Sequence, residues 1–169
     1  MNKKKFLITV YITNFNYGKF IEQAIESVLD QTEKSFELII IDDGSIDHSI
    51  EIGKRLEKNQ PKVKFLQHTD KKNHGVSASR NLGIANATCP YVAFLDADDT
   101  IVPDMMLEFN TRIETQAADL IISDFKSVDE FGENEMPTKW NAAFLSTSTA
   151  QELADLFYSE GIMETVWAK

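Results

Sequence analysis

Short apolar runs alternate with longer stripes of helical spacing through the first three quarters of the chain. Residues 6–13 are rich in β-formers, and residues 36–41 are almost wholly apolar, as strands covered on both faces are. Between them, residues 19–31 place Phe20, Ile21, Ala24, Ile25, Val28 and Leu29 on one helical stripe. Residues 47–60 predict a polar-faced helix with Ser45 or Asp47 as its N-cap and Pro61 beyond its end. A third strand at 63–68, a small-residue helix at 76–87 and a fourth strand at 91–95 follow. A helix at 104–117, starting just after Pro103, and a fifth strand at 119–125 complete the series. This order predicts an α/β fold, a mostly parallel sheet with helices on both faces.

Beyond residue 125 the pattern thins. Residues 126–128 and 130–135, turning at Gly132, predict a hairpin excursion, and 137–148 a loop. A helix at 149–159 would be capped by Thr149 and turn Leu153, Leu156 and Phe157 inward. No closing element is predicted at the end, which leaves Ile162, Val166 and Trp167 as an apolar edge favouring self-association.

The chain has 169 residues, enough for one domain with a sizeable core. A net charge of −10 argues against nucleic acid as a partner, because a phosphate-backbone binder needs a basic face. No apolar stretch is long enough to span a bilayer, and the Lys3-Lys4-Lys5-Phe6 start lacks a signal-peptide apolar region. The single Cys89 excludes an internal disulfide framework and a cysteine-based zinc cluster. His48, His68 and His74 are scattered without metal-ligand spacing and are given no direct chemical role. The reading is cytoplasmic, either free or held at the inner membrane face through partners.

The chemistry gathers at predicted strand ends. After the fourth strand, Asp96-Ala97-Asp98-Asp99 puts three carboxylates where the apolar run breaks. Open α/β sheets bind ligands at that lip. If the backbone stays extended, Asp96 and Asp98 point to the same side. Their repulsion would then be relieved by a hard divalent cation, Mg²⁺ or Mn²⁺, with positions open for phosphate oxygens. After the first strand, Thr13-Asn14-Phe15-Asn16 offers a hydroxyl, two amides and a ring on which a planar base can stack. After the second, Asp42-Asp43-Gly44-Ser45 offers an acid for an imide N–H or a ribose hydroxyl. Arg80, in the first turns of the helix at 76–87, can bridge carboxylates or hold a nucleotide. Convergence of these groups on one sheet edge predicts a nucleotide-diphosphate site with a divalent ion.

From residue 6 to 125 the chain resembles glycosyltransferase family 2, an inverting group with the GT-A (Rossmann-like) fold. The resemblance rests on Val10-Tyr11-Ile12-Thr13-Asn14-Phe15-Asn16-Tyr17, Ala24-Ile25-Glu26-Ser27-Val28-Leu29-Asp30-Gln31-Thr32, Ile40-Ile41-Asp42-Asp43-Gly44-Ser45, the stretch 75–83, and Phe94-Leu95-Asp96-Ala97-Asp98-Asp99. It implies a donor site for a nucleotide sugar, a UDP-sugar first, built from Thr13, Phe15, Asn16, Asp42, Asp43, Arg80, Asp96 and Ala97. Phe15 would face the uracil with help from Thr13, Asp43 would contact the base, and Arg80 would sit by the nucleotide. Asp96 would lie near ribose and metal, and Asp98 would ligate the metal directly. Thr13 stands where the family often has proline, and Phe15 where tyrosine is commoner. The implied activity is transfer of a hexosyl or N-acetylhexosaminyl group to a glycan, lipid-linked or protein-linked acceptor.

An inverting transfer needs a base for the acceptor hydroxyl, and the resemblance places that base downstream of the acidic motif. Asp119 and Asp124 belong to the predicted fifth strand, and Asp129, Glu130, Glu133 and Glu135 to the excursion. Glu160 and Glu164 are the candidates left within the chain, and the base is expected beyond Lys169. The expectation is a donor-binding portion of a larger enzyme, with residues 1–125 the nucleotide-sugar-binding core and 126–169 an incomplete start of the acceptor-side region. Two rivals come from other classes. One is a donor-binding or assembly domain without catalysis. The other is a haloacid-dehalogenase-type phosphatase, since Asp96-Ala97-Asp98-Asp99-Thr100 fits a DxDxT pattern with Asp96 as nucleophile. The second leaves the Asp42–Ser45 turn without a role.

Overall fold

The structure, a computed structural model, describes residues 7–116, 120–123, 126 and 128, and the backbone of 165–168. Contacts divide the chain into two units, Met1–Asp119 with Val166–Lys169, and Leu120–Thr165. In the first unit β1 (Ile8–Asn14), β2 (Phe36–Asp42), β3 (Val63–Gln67) and β4 (Tyr91–Asp96) are parallel and lie in the order β3-β2-β1-β4. Helices α1 (Ile21–Leu29), α2 (Ser49–Asn59) and α3 (Val76–Asn86) make the crossovers, and α4 (Met105–Gln116) follows β4. In the second unit, Leu120–Ile122 forms β5.

Every residue of β2 is buried, which explains why Phe36-Glu37-Leu38-Ile39-Ile40-Ile41 lacks an alternating polar face. Register decides the site. Asn14 pairs with Asp42 and Thr13 with Asp96, so β1, β2 and β4 end level on one edge.

Two glycines show how the faces are covered. A Cβ on Gly53 would fall 2.3 Å from the Phe65 ring, and one on Gly83 would fall 2.7 Å from Ile41 Cδ1 and 3.1 Å from Tyr11 Cγ. Phe65 pairs with Ile40, whereas Tyr11 pairs with Ile39. Neighbours along a strand point to opposite faces, so α2 and α3 cover opposite sides of the sheet. The Arg55–Glu22 ion pair puts α1 beside α2. On the α3 side Tyr11, Ile39, Ile41 and Val92 form a buried cluster, with Phe94 edge-on to Tyr11 at 4.5 Å between centroids. Burial there pushes the Tyr11 phenol well above its usual range, the Arg80 charge working against it.

The sequence-derived elements recur with ends shifted by a residue or two, apart from three differences. The fifth strand is three residues rather than seven. The N-cap position of α2 is His48, and its side chain makes no capping bond. Asp47 instead accepts Gly18 N–H at 2.8 Å and Ser49 N–H at 3.0 Å, while Ser45 turns toward Asn14. Most consequentially, the expected open end is a strand. β6 (Thr165–Ala168) pairs antiparallel with β4, Val92 opposite Trp167. β-Branched and aromatic residues suit a strand, and the β4 edge had unpaired backbone groups to offer. The hairpin around Gly132, the loop at 137–148, the helix at 149–159 and Ile162 lie outside the described residues.

Because Gly83 has no room for a methyl group, Gly83→Ala is expected to lower stability. Overpacking of about 1–3 kcal/mol outweighs the gain in helix propensity of about 1 kcal/mol. Urea unfolding checks this, and a higher midpoint for the variant would contradict the packing described.

Candidate functional site

The strand ends are tied by a buried amide. Asn14 Nδ2 lies 2.9 Å from Asp42 Oδ1, 3.0 Å from Ser45 Oγ and 2.8 Å from Ser49 Oγ. Asp42 Oδ2 accepts Gln67 Nε2 at 3.0 Å and Ser45 N–H at 3.2 Å. Asp43 N–H completes the tie by donating to Asn14 O at 2.8 Å. One side chain from β1 and one from β2 thereby hold the ends of three strands and the start of α2. Asp42, expected at the nucleotide, is wholly buried in these bonds and does not line the pocket.

Asp43 is turned the other way. Its Oδ1 accepts His74 N–H and its Oδ2 accepts Gly75 N–H, both at 2.8 Å, so it fastens the β3–α3 loop to the end of β2. That loop passes so close to Gly44 that a Cβ there would sit 2.6 Å from Lys72 C. With φ at +81° as well, the position requires glycine.

Phe15 is 43% exposed and Tyr17 41%, and both line the pocket. Asn16 does not line it. With φ +60° it makes the turn, its N–H donating to Ser45 Oγ and its Oδ1 accepting Ile46 N–H. The strain of a left-handed non-glycine residue is thus met by two hydrogen bonds.

The acidic motif departs from the extended geometry expected of it. β4 stops at Asp96, and Asp99 N–H bonds back to Asp96 O at 3.1 Å, closing a turn through Ala97 and Asp98. The side-to-side alternation of a strand therefore does not relate the two acids, yet both reach the pocket. Asp96 Oδ1 accepts from Arg80 at 3.3 Å and Thr13 Oγ1 at 3.4 Å. The Arg80 guanidinium also rests 5.5 Å from the Phe94 ring centre. Ala97 is buried beneath the motif, and Asp98 is exposed.

These groups surround a pocket of about 390 Å³. Its lining carries Asp43, Asp96 and Asp98, with Arg80 as a cation bonded to Asp96. An anionic ligand would meet an excess of negative charge there unless a cation entered with it. The donor set suits Mg²⁺ or Mn²⁺: two carboxylates, Asp96 half-exposed and Asp98 exposed, with no sulfur or imidazole. Among the described residues no three His, Cys, Asp or Glu side chains converge as a complete metal cage. Such an ion would need ligand oxygens to fill its coordination, as phosphates provide.

Thr13, Phe15, Asp43, Asp96, Ala97 and Asp98 thus meet in one pocket, with Arg80 against Asp96. Glu160 and Glu164 lie outside the described residues. Tyr17, Val76 and Ser79, quoted within motifs but given no role of their own, also line the pocket, as does Asn73, which no motif included. Tyr17 stood in the quoted aromatic turn, but nothing in the spacing showed that its ring, like that of Phe15, stays exposed.

Comparison with known proteins gives the class. Residues 9–162 match the model described as Glycosyl transferase family 2. Among solved structures, S. aureus TarS 1-349 in complex with UDP-GlcNAc superposes with a TM-score of 0.69 at 23% identity, over 78% of this chain and 37% of that one. The mannosyltransferase PcManGT from Pyrobaculum calidifontis, in complex with GDP-Man and Mn²⁺, superposes with a TM-score of 0.59 at 19% identity, over 67% and 34%. These likenesses are of fold, and the fold is GT-A. The chain belongs to glycosyltransferase family 2. Its relatives include the uncharacterized glycosyltransferase YibD of Escherichia coli (strain K12), 44% identical over 98 residues, 58% of this chain and 28% of that protein. The cholesterol galactosyltransferase of Borreliella burgdorferi is 36% identical over 121 residues, 72% of this chain and 33% of that protein. The chain spans less than half the length of these curated relatives. Membership of this family displaces the phosphatase reading of Asp96.

Buried Asp42 should behave differently from the pocket aromatic. Asp42→Ala leaves buried donors unanswered and is expected to cost about 1–3 kcal/mol of stability. Phe15→Ala, at an exposed position, should leave the unfolding midpoint nearly unchanged. Thermal unfolding of both variants checks this, and the reverse order would place Phe15 in the core.

Proposed function

We propose that this chain carries the donor site of an inverting, metal-dependent glycosyltransferase that takes a UDP-sugar. It would pass a hexosyl or N-acetylhexosaminyl group to a glycan, lipid-linked or protein-linked acceptor. The observation that carries this reading is one pocket holding an exposed aromatic ring at the end of β1, with two carboxylates at the end of β4 on one side of it in the sheet order and Asp43 at the end of β2 on the other. Phe15 stacks on the base, and Asp43 accepts from the base edge. Asp98, with Asp96, holds Mn²⁺ or Mg²⁺ against the diphosphate. When bound, the ion supplies Lewis-acid stabilisation of the departing nucleoside diphosphate.

Arg80 offsets part of the Asp96 charge, and its seat over Phe94 keeps the guanidinium from swinging out of the site. Thr13, bonded to the same oxygen, orients Asp96 rather than reaching for the base. Residues 1–125 serve as the donor core, and 126–169 begin the acceptor side. The acceptor proton is left to another acid, one beyond Lys169 or, within the chain, Glu160 or Glu164. The relatives' names support a transferase, and the bound UDP-GlcNAc and GDP-Man with Mn²⁺ of the structural neighbours support a nucleotide-sugar donor and a divalent ion. Among the described residues no helix is long and apolar enough to cross a membrane.

Isothermal titration with UDP should show binding that strengthens with Mn²⁺ or Mg²⁺. Asp98→Asn should weaken the metal-dependent binding by about 1–3 kcal/mol, the scale of a charge-assisted contact, and leave the unfolding midpoint unchanged. Equal UDP affinity in EDTA and in Mn²⁺ would overturn the metal assignment.

A further inference from the structure

His68, just past the end of β3, takes part in none of the chemistry described so far. Its side chain is 14% exposed, and its Nε2 lies 3.0 Å from Ser79 Oγ and 3.3 Å from Asp43 Oδ1. Its ring stacks on that of His74 at 4.4 Å, and His74 Nε2 lies 2.8 Å from Asp70 Oδ1. A bare Nε2 lone pair would be repelled by the Asp43 carboxylate, so the proton belongs on Nε2, which bonds Ser79 Oγ and lies close enough to Oδ1 to attract it.

That proton changes what Asp43 has left to offer. A carboxylate has about four acceptor positions, two on each oxygen. Oδ1 receives His74 N–H at 2.8 Å, and His68 Nε2 stands 3.3 Å away, where a second donor to Oδ1 would have to approach. Oδ2 receives Gly75 N–H at 2.8 Å, and one position remains. A base that presents one N–H between two carbonyls, as uracil does, fits a single acceptor. Guanine presents two adjacent donors, an N–H and an amino group, and needs both oxygens of a carboxylate to satisfy them. Leaving one of those donors buried and unpaired is penalised.

We propose that His68 is a positioning residue that acts through Asp43 and sets the base pocket for uracil against guanine. The inference rests on the reading of Asp43 as the base-contacting acid. Ser79, wholly buried at the pocket lining, holds the imidazole from the α3 side. The tilted contact with the His74 ring limits rotation of the imidazole, so Nε2 stays beside Oδ1.

The test is competition titration in Mn²⁺ with UDP, GDP, the diphosphate of N3-methyluridine and inorganic pyrophosphate. The unmodified chain should bind UDP at least about tenfold more tightly than GDP or the methylated analogue, the scale of one hydrogen bond to a charged group. His68→Leu should lose about tenfold in UDP affinity and narrow the UDP-to-GDP ratio, with pyrophosphate binding unchanged. His68→Gln, which keeps an N–H near the Nε2 position, should restore much of the ratio; a residue that only fills space would not be rescued in this way. If GDP binds the unmodified chain as tightly as UDP, or a folded His68→Leu keeps both the ratio and the UDP affinity, the inference falls and the donor reading stands. A chain that binds pyrophosphate with Mn²⁺ but discriminates no base would overturn this inference together with the role given to Asp43. The ligand series on the unmodified chain decides the matter even if His68→Leu fails to fold.

Discussion

The Asn14 amide, buried between β1 and β2, is the contact on which the rest of the site depends. Its Nδ2 reaches Asp42, Ser45 and Ser49, and Asp42 in turn holds Gln67 and the Ser45 backbone. Parallel strands supply evenly spaced backbone bonds but nothing that stops their ends from fraying. Here the polar side chains at the ends answer one another in a space with little water, where an unmade bond is costly. With that knot closed, the next residue of each strand is aimed: Phe15 outward beyond β1, and Asp43 across to the β3–α3 loop.

Charge is the second constraint. The pocket assembles three carboxylates against one ion-paired guanidinium, an arrangement that folding alone does not require. Asp42, by contrast, is wholly buried among partners within the protein and does not line the pocket. Adjacent acids in the chain thus separate into one buried beneath the strand ends and one that lines the pocket. The separation follows from where β2 ends, because one residue along a strand is a change of face.

Much of this was legible in the sequence because its signals are local. The almost wholly apolar run at 36–41, the Ile21–Leu29 stripe and the placing of polar residues at strand ends all follow from period and burial. So did the convergence of Thr13, Phe15, Asp43, Asp96 and Asp98, since parallel strands of similar length bring their C-terminal ends together. What escaped depends on the third dimension. Asp42 and Asp43 are indistinguishable as letters, and only the partners Gln67 and His74 separate them. Asn16 has the same donor groups as Asn14 but a left-handed backbone that turns it to Ile46. The turn at Ala97-Asp98 replaced the extended backbone assumed for two spaced acids. β6 was missed because a four-residue strand at the chain end carries too little pattern to announce its partner. His68 gave no sign, since its significance comes from Asp43 and Ser79, far from it in sequence or on another element.

The central claim is that these strand ends form one site in which an aromatic ring takes the base and the acidic turn takes metal and diphosphate. A crystal of the chain grown with UDP and Mn²⁺, with anomalous scattering measured at the manganese edge, tests it most directly. The account predicts a single strong anomalous peak at coordination distance from Asp98, bridged to the diphosphate, with the uracil ring face to face with Phe15. A peak elsewhere, or a nucleotide bound with its base away from Phe15 and Asp43, would contradict it.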